Sequence, residues 1–512
     1  MRTPELGVGL SYFGGLAPLL EEHPGLVDVL EVEPQTFWTR LPDGGFRADA
    51  EILARLAGYP CTKLLHGIGF PVGGVRPPSP AQVPPLLAAI EALAPPWMSE
   101  HLSFNRAGAD GGEFNTAFLL PPRQTPAGVE AAATSIRAMA DAMPIPLAVE
   151  TGVSYLRPRP DEMDDGAFVA AVVERADCDV LLDLHNLWAN ERNGRQPVDE
   201  LLARIPLERV REIHLAGGFE HRGFWLDSHS GPVPEELFEL AERVVPRLPA
   251  LGALIFELFP TYLSRFGLPA VRREVERLRR IWDRRGRAAR RARRAAPADG
   301  AATRAGGPGA EAADEHPERT AAAAGGAAPG PTPREWEDAL GALVVGRPPA
   351  TPLGEELAAD PGIEVVRYLI GEFRGSMVVT SLKLTSRLIM LSRGTEAFER
   401  LLAEYWRVAP PAPFAADEAA GFAEFLARNL PEDVPYVGEI LAFERAVLAT
   451  LLDETARVVP FSVDPLPFLR ALGEARLPDP EMIFPGSFEV EVTPDDLDGE
   501  AAEAAVAQLL LH

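Results

Sequence analysis

Cysteine is almost missing from this chain: Cys61 and Cys178 are the only two in 512 residues. A disulfide scaffold and a thiolate-built structural zinc site both need cysteines in sets, so both are excluded. No apolar run approaches the ~20 residues of a membrane span. The opening residues MRTPELGVGLSYF lack the basic start and hydrophobic stretch of a secretory signal. The expectation is a cytoplasmic chain without structural disulfides. Positive charge is short as well, with 49 Lys and Arg against 75 Asp and Glu for a net charge of −26, which disfavours indiscriminate nucleic-acid binding. Residues 271–294 run against that average with twelve arginines, and read as the solvated end of a last helix leading into a basic linker. A GxSxG elbow, a Walker loop and a GxGxxG fingerprint after a strand are all missing, and HGIGFPVGG is a glycine-rich turn. Both cysteines sit at strand beginnings, which reads as packing rather than nucleophilic chemistry.

What is present is globular: 46% hydrophobic and 24% charged residues. Residues 295–333 are nearly all Ala, Gly, Pro and charge, too poor in apolar mass to repay ordering. The chain therefore divides into residues 1–290, a linker over 291–333 and a C-terminal block over 334–512. In the first block, apolar runs at 7–12, 27–34, 62–69, 97–104, 146–152, 180–186, 210–217 and 253–259 alternate with helical patterns. Such alternation in under 300 residues predicts a TIM (β/α)8 barrel, with a doubly wound sheet as the alternative. The C-terminal block shows helical periodicity closed by a β-rich stretch near FEVEVTPDD, an α+β pattern.

Histidine is scarce and concentrated. The stretch HLAGGFEHRGFWLDSHS, residues 214–230, holds three of the nine histidines, His214, His221 and His229, beside Glu220 and Asp227. His66, Glu100 with His101, Glu150, Asp183 with His185, His214 and Glu257 all fall late in predicted strands, where a barrel builds its active-site mouth. Any one of them could be a satisfied core residue. Together, unpaired, they would cost several kcal/mol per charge, and a bound cation offsets that. Imidazole and carboxylate without thiolate suit iron, manganese or zinc. The candidates outnumber the roughly six positions of an octahedral ion, so two or three ions bridged by a carboxylate fit them.

The motifs HGIG, SEHLSF, VETGVSYL, LLDLHN, EIHLAG, DSHSGPVPEELFEL and IFELFPT, in this order across roughly residues 5–282, resemble a barrel family first described only as a domain of unknown function. That family is now grouped as multinuclear non-haem iron-dependent oxidative enzymes and includes the methanobactin-biosynthesis oxidase. The resemblance implies two or three irons, with dioxygen as cosubstrate, and oxidative remodelling of a ribosomally made precursor peptide, usually at cysteine. It implies His66, His101 and Glu150 around one iron, and Glu150 bridging to a second held by Asp183, His214 and Glu257. A third would use Asp227, His229 and either His185 or Asn186. Relatives commonly read LDVNN where this chain has LDLHN, ENV where it has Glu150-Thr151-Gly152, and EVHPENY where it has EVEPQTFW, so the rim near Glu31 and Glu33 is expected to take a different substrate. The C-terminal block resembles the small helical partner proteins of these barrels, which implies an intramolecular domain that presents the peptide. Two other classes compete: a divalent-metal sugar isomerase or endonuclease-like barrel, and a non-enzymatic metal-dependent peptide carrier.

Overall fold

The computed structural model describes residues 3–41, 43–77, 79–109, 112–295 and 330–496. Most of the expected linker lies outside the described residues. Eight strands close into a parallel barrel: β1 (Gly7–Ser11), β2 (Val29–Val32), β3 (Thr62–Gly67), β4 (Met98–His101), β5 (Leu147–Glu150), β6 (Asp179–Asp183), β7 (Val210–Ala216) and β8 (Ala253–Glu257). β1 pairs with both β2 and β8, which closes the ring and removes the doubly wound alternative. Each expected apolar run contains or overlaps one barrel strand, because strands buried on both faces read as near-continuous hydrophobic segments.

One run changes from strand to helix before its expected end. The strand of LDLHN stops at Asp183, and Leu184–Arg192 is a helix (α5, after α1 Ala50–Gly58, α2 Val83–Leu93, α3 Pro126–Ala142 and α4 Asp165–Ala176). Asp183 is its N-cap, accepting from Asn186 N at 2.8 Å, so the same carboxylate that ends the strand starts the helix. Side-chain caps at Asp49, Thr125 and Asp164 start α1, α3 and α4 in the same way. The arginine-rich segment belongs to the closing helix, Leu268–Ala295, which runs past the expected boundary at 290. Arg277 pairs with Glu235, Arg279 with Asp28 and Arg284 with Glu242, so this face is matched by carboxylates of the barrel.

The barrel interior is layered. Val29, Leu64, Trp97, Ala253 and Ile255 form an apolar floor. The larger core lies between strands and outer helices, as in any such barrel. Among the described residues beyond 330 the chain is mainly helical and carries an antiparallel pair, Arg457–Val463 with Pro485–Val492. Residues from Val378 to Val492 enclose a core of their own. The preceding helices do not: Trp336, Leu340, Ile363 and Val366 share one cluster with Phe104, Leu120, Tyr155 and Leu226 of the barrel's loops. Each fully buried large aliphatic side chain stabilises by roughly 1.5–3 kcal/mol, so this is a firm seat rather than a passing contact.

Candidate metal centre

Register aligns donors on adjacent strands. His101 on β4 stands opposite Glu150 on β5, and Asp183 on β6 opposite His214 on β7, while Glu257 ends β8 beside Ala216. His66 comes from β3, and His229 from the loop after β7, where its φ of 43° is a left-handed backbone rarely taken by non-glycine residues.

These residues form three overlapping sets whose ligand atoms lie within 4.8 Å of one another: His66–His101–Glu150, Glu150–Asp183–His214 and Asp183–His229–Glu257. Glu150 is shared by the first two and Asp183 by the last two. His101 Nε2 is 2.9 Å and His66 Nε2 3.4 Å from Glu150 Oε2. His214 Nδ1 is 3.2 Å from Glu257 Oε1. Three of the four histidines anchor their other nitrogen away from these sets: His66 Nδ1 on Ser99 Oγ at 2.9 Å, His101 Nδ1 on Gly67 O at 2.9 Å, and His214 Nε2 on Glu31 Oε2 at 3.0 Å. Outer anchoring of this kind is how ligating imidazoles are aimed.

The donor chemistry fits a cation. Glu150 Oε2, Asp183 Oδ2, Asn186 Oδ1, His214 Nδ1, His229 Nε2 and Glu257 Oε2 are all buried without an aligned hydrogen bond. His229 Nε2 does approach Asp227 Oδ1 to 2.9 Å, but as an ion-pair distance rather than a directed bond. An unsatisfied buried polar group costs about 1–3 kcal/mol, and six converging on one bowl would share a cation at once.

Protonation tells the same story. Burial, then the neighbouring Asp227, Glu150 and Glu257 carboxylates, push Asp183 well above the usual carboxyl range. Burial disfavours the imidazolium of His101, yet Glu150 and Glu100 outweigh it and hold its pKa well above normal. His214 is raised in the same way by Glu257 and Glu31, and His229 reaches about 10 beside Asp227 and Glu257. His66 goes the other way, lowered by burial and by the nearby histidines. Without a cation the bowl therefore holds protons at neutral pH on histidines whose lone pairs a metal needs. Metal loading is expected to release protons and to weaken steadily as pH falls below about 10, the raised pKa of His229. Calorimetric titration in buffers of different ionisation enthalpy measures that release; loading with no proton exchange would contradict it.

All ten sequence candidates lie at this end of the barrel, in different roles. His66, His101, Glu150, Asp183, His214, His229 and Glu257 make up the three sets. Asp227 lies beside them, drawn well below the carboxylate range, against burial, by His229 and His185. His185 Nδ1 bonds Asp227 Oδ1 at 2.9 Å while its Nε2 accepts from Trp225 Nε1 at 2.9 Å, so both nitrogens are engaged. Asn186 keeps Oδ1 free and places Nδ2 3.4 Å from Glu150 Oε1. Glu100 turns away, its oxygens accepting from His101 N and Phe70 N. Of the histidine-rich stretch, His221 leaves the cluster and stacks on Tyr368 with centroids 4.0 Å apart, and Glu220 is exposed.

Sequence reasoning placed Glu31 at the rim and overlooked Glu212. Glu31 is instead fully buried beneath His214, with Glu212 beside it taking a hydrogen bond from Trp97 Nε1 at 3.0 Å. Burial and the Glu31 charge raise Glu212 to about 8, so one proton is retained below the donor sets. Period-two alternation is the signal that could have found Glu212, since it precedes His214 by two on β7 and shares its face. Glu33 is half-buried, its pKa raised to about 7 by burial and then by Glu257 and Glu31. The cysteines lie far from this bowl, and burial raises both thiols, Cys178 to about 12, away from nucleophilic thiolate chemistry.

A family model described as RiPP precursor modification enzyme MbnB/TglH/ChrH matches residues 6–261. Similar proteins include a UPF0276 protein of Streptomyces avermitilis, 31% identical over 253 residues, with 49% of this chain and 50% of that protein covered. Others are UPF0276 proteins of Chromobacterium violaceum (31% identical, 45% and 83% covered) and Caulobacter vibrioides (32% identical, 49% and 85% covered). The chain thus spans half the length of the first of these relatives. Among solved structures, a D-psicose 3-epimerase in the presence of D-fructose aligns at 13% identity and TM-score 0.34, over 55% of this chain and 96% of its own. A xylose isomerase domain protein from Planctomyces limnophilus aligns at 17% identity and TM-score 0.36, over 56% and 99%.

Proposed function

The chain belongs to the RiPP precursor modification enzyme family of the MbnB/TglH/ChrH type, and from that premise we propose that it is an iron- and dioxygen-dependent oxidase acting on a ribosomally made precursor peptide, at cysteine. The observation that carries the reading is the convergence of six buried donor atoms without an aligned hydrogen bond, all imidazole, carboxylate or amide, in one bowl of the barrel. Such a donor set suits iron and carries no thiolate that would favour a closed zinc site.

His66, His101 and Glu150 would hold one ion, Glu150, Asp183 and His214 a second, and Asp183, His229 and Glu257 a third. Asn186 rather than His185 would supply the remaining oxygen, because both nitrogens of His185 are already committed. Iron held there supplies one-electron chemistry with dioxygen and lowers the pKa of a substrate thiol. The protein's own share is positional: Ser99, Gly67 and Glu31 aim the imidazoles of His66, His101 and His214. We further propose that residues 334–512 present the peptide to the mouth, supported by the seat of Trp336, Leu340, Ile363 and Val366 on the barrel's loops.

The test is to incubate the iron-loaded full chain with a candidate cysteine-containing precursor, with and without dioxygen, and to measure peptide mass. A mass change requiring both iron and dioxygen is expected. An unchanged peptide that nevertheless binds would favour a carrier. Turnover of a sugar without dioxygen would favour an isomerase.

A further inference from the structure

The first C-terminal helices share an apolar cluster with the barrel's loops. Their contacts reach deeper. With α6 (Glu235–Val244) and α7 (Leu268–Ala295) completing the barrel, the first two long helices beyond residue 330 are α8 (Pro333–Val344) and α9 (Gly362–Ser381). From each, a chain of hydrogen bonds or close packing runs to a different part of the donor cluster.

The first starts at α8. Glu337 Oε1 accepts from Val75 N at 2.6 Å and its Oε2 from Arg76 Nη1 at 2.7 Å; Asp338 Oδ1 accepts from Arg76 Nη2 at 2.5 Å and from Gly108 N at 2.6 Å. The Arg76 and Glu337 side chains are only 4% and 3% exposed, so this is a buried clamp and not a surface pair. It fixes the far end of loop 68–76, which leaves β3 after Gly67, the residue next to His66. That loop is stitched onto the end of β4, with Val72 N donating to His101 O at 3.0 Å and Gly73 N to Ser103 O at 2.7 Å. Gly67, the strand residue that enters this loop, supplies the carbonyl that holds His101 Nδ1 and thereby turns Nε2 towards Glu150.

The second starts at α9. Gly362 packs so tightly on Tyr155 that any Cβ there would collide with the Tyr155 carbonyl, and Asp360 Oδ2 accepts from Arg157 N at 2.9 Å. The Tyr155 hydroxyl in turn accepts from Asp227 N at 3.0 Å. Asp227 Oδ1 then bonds His185 Nδ1 at 2.9 Å and lies 2.9 Å from His229 Nε2, beside the third set.

We infer that α8 and α9 are positioning elements of the metal centre itself, the Glu337–Arg76 clamp governing the His66–His101–Glu150 set and the Gly362–Tyr155 contact governing the Asp183–His229–Glu257 set. The inference rests on the reading of these sets as metal sites. It makes the functional unit of the barrel extend into the C-terminal region, and it assigns Arg76, Glu337 and Tyr155 a task that no metal contact of their own would reveal.

Cobalt(II) is the probe, titrated into the full-length protein and followed by its visible absorption and by elemental analysis. Two variants cut one strut each: Arg76→Met with Glu337→Gln, which removes both charges together, and Tyr155→Phe, which removes only the hydroxyl. Each is expected to weaken cobalt at its own set by about 10–100-fold, the usual cost of losing an outer support, and to leave the other set unchanged. Backgrounds assign the sites. In a His66→Ala background the clamp variant should have no further effect while Tyr155→Phe still does; in a Glu257→Ala background the pattern should reverse. A general loss of packing would move both sets together, so equal weakening everywhere overturns the inference, as does unchanged binding in both variants. A wild-type chain that takes up no cobalt would overturn the metal reading and this inference with it. Should the double variant fail to fold, Asp338→Asn cuts the same clamp at its half-exposed member and carries the same expectation.

Discussion

Glu150→Ala is expected to strip the protein of more than half its metal, the largest loss from any single donor. Its Oε2 lies 2.9 Å from His101 Nε2 and 3.4 Å from His66 Nε2, and its carboxylate also belongs to the set with Asp183 and His214. One substitution therefore removes a donor from two ions, and the bridging charge with it. The Asp183–His229–Glu257 set keeps all its members and should retain its ion. The fold should survive, because Glu150 stands at the end of β5 and Ala preserves the strand's pairing with β4 and β6. Replacing the exposed Glu220, two residues before the equally uninvolved Arg222, is the matched control and should cost nothing. Elemental analysis of the two variants beside the wild type decides it. Unchanged iron in Glu150→Ala would remove Glu150 from the centre and with it the argument for bridged ions.

Six of the seven residues of the three sets, all but the loop-borne His229, were legible in the sequence for one physical reason. A parallel barrel buries both faces of its strands, so each strand reads as an apolar run, and a His, Asp or Glu closing such a run has nowhere to go but the mouth. The layer below was not legible on that rule. Glu31 and Glu212 sit one step earlier on the same faces, where the expectation was apolar filling, and only their contacts to His214 and Trp97 reveal what compensates their burial. The choice between His185 and Asn186 was open because it depends on where a strand becomes a helix. With Asp183 as the cap, α5 turns His185 to Asp227 and Trp225 and leaves the Asn186 carbonyl free. The seat of the C-terminal helices was hidden for a different reason: an amphipathic stripe announces that a face is covered but not what covers it. Trp336 lies between Arg123 and Arg159, 4.9 and 5.6 Å from their guanidinium carbons, a site assembled from three distant segments.

Cutting the chain between residues 296 and 329 is expected to leave the two parts bound to each other and the metal in place. The Ala, Gly and Pro content of that stretch makes it the preferred site of proteolysis. If it acted only as a tether, about forty residues spanning ~35 Å by the root-length rule would hold the C-terminal region near the barrel at roughly millimolar concentration. A cut would then let the parts diffuse away at micromolar protein. The shared apolar cluster argues otherwise. Trp336 is 2% exposed, donates Nε1 to Pro121 O at 3.0 Å, and is joined by Leu340, Ile363 and Val366 against Tyr155 and Leu226. Separation would expose all of these to water, and each fully buried large apolar side chain contributes about 1.5–3 kcal/mol. Gel filtration after cleavage should therefore give one peak containing both fragments with undiminished metal, dispersing only under denaturing conditions. Two peaks at micromolar concentration, with a barrel that keeps all its metal, would mean that the helices rest on the mouth without supporting it.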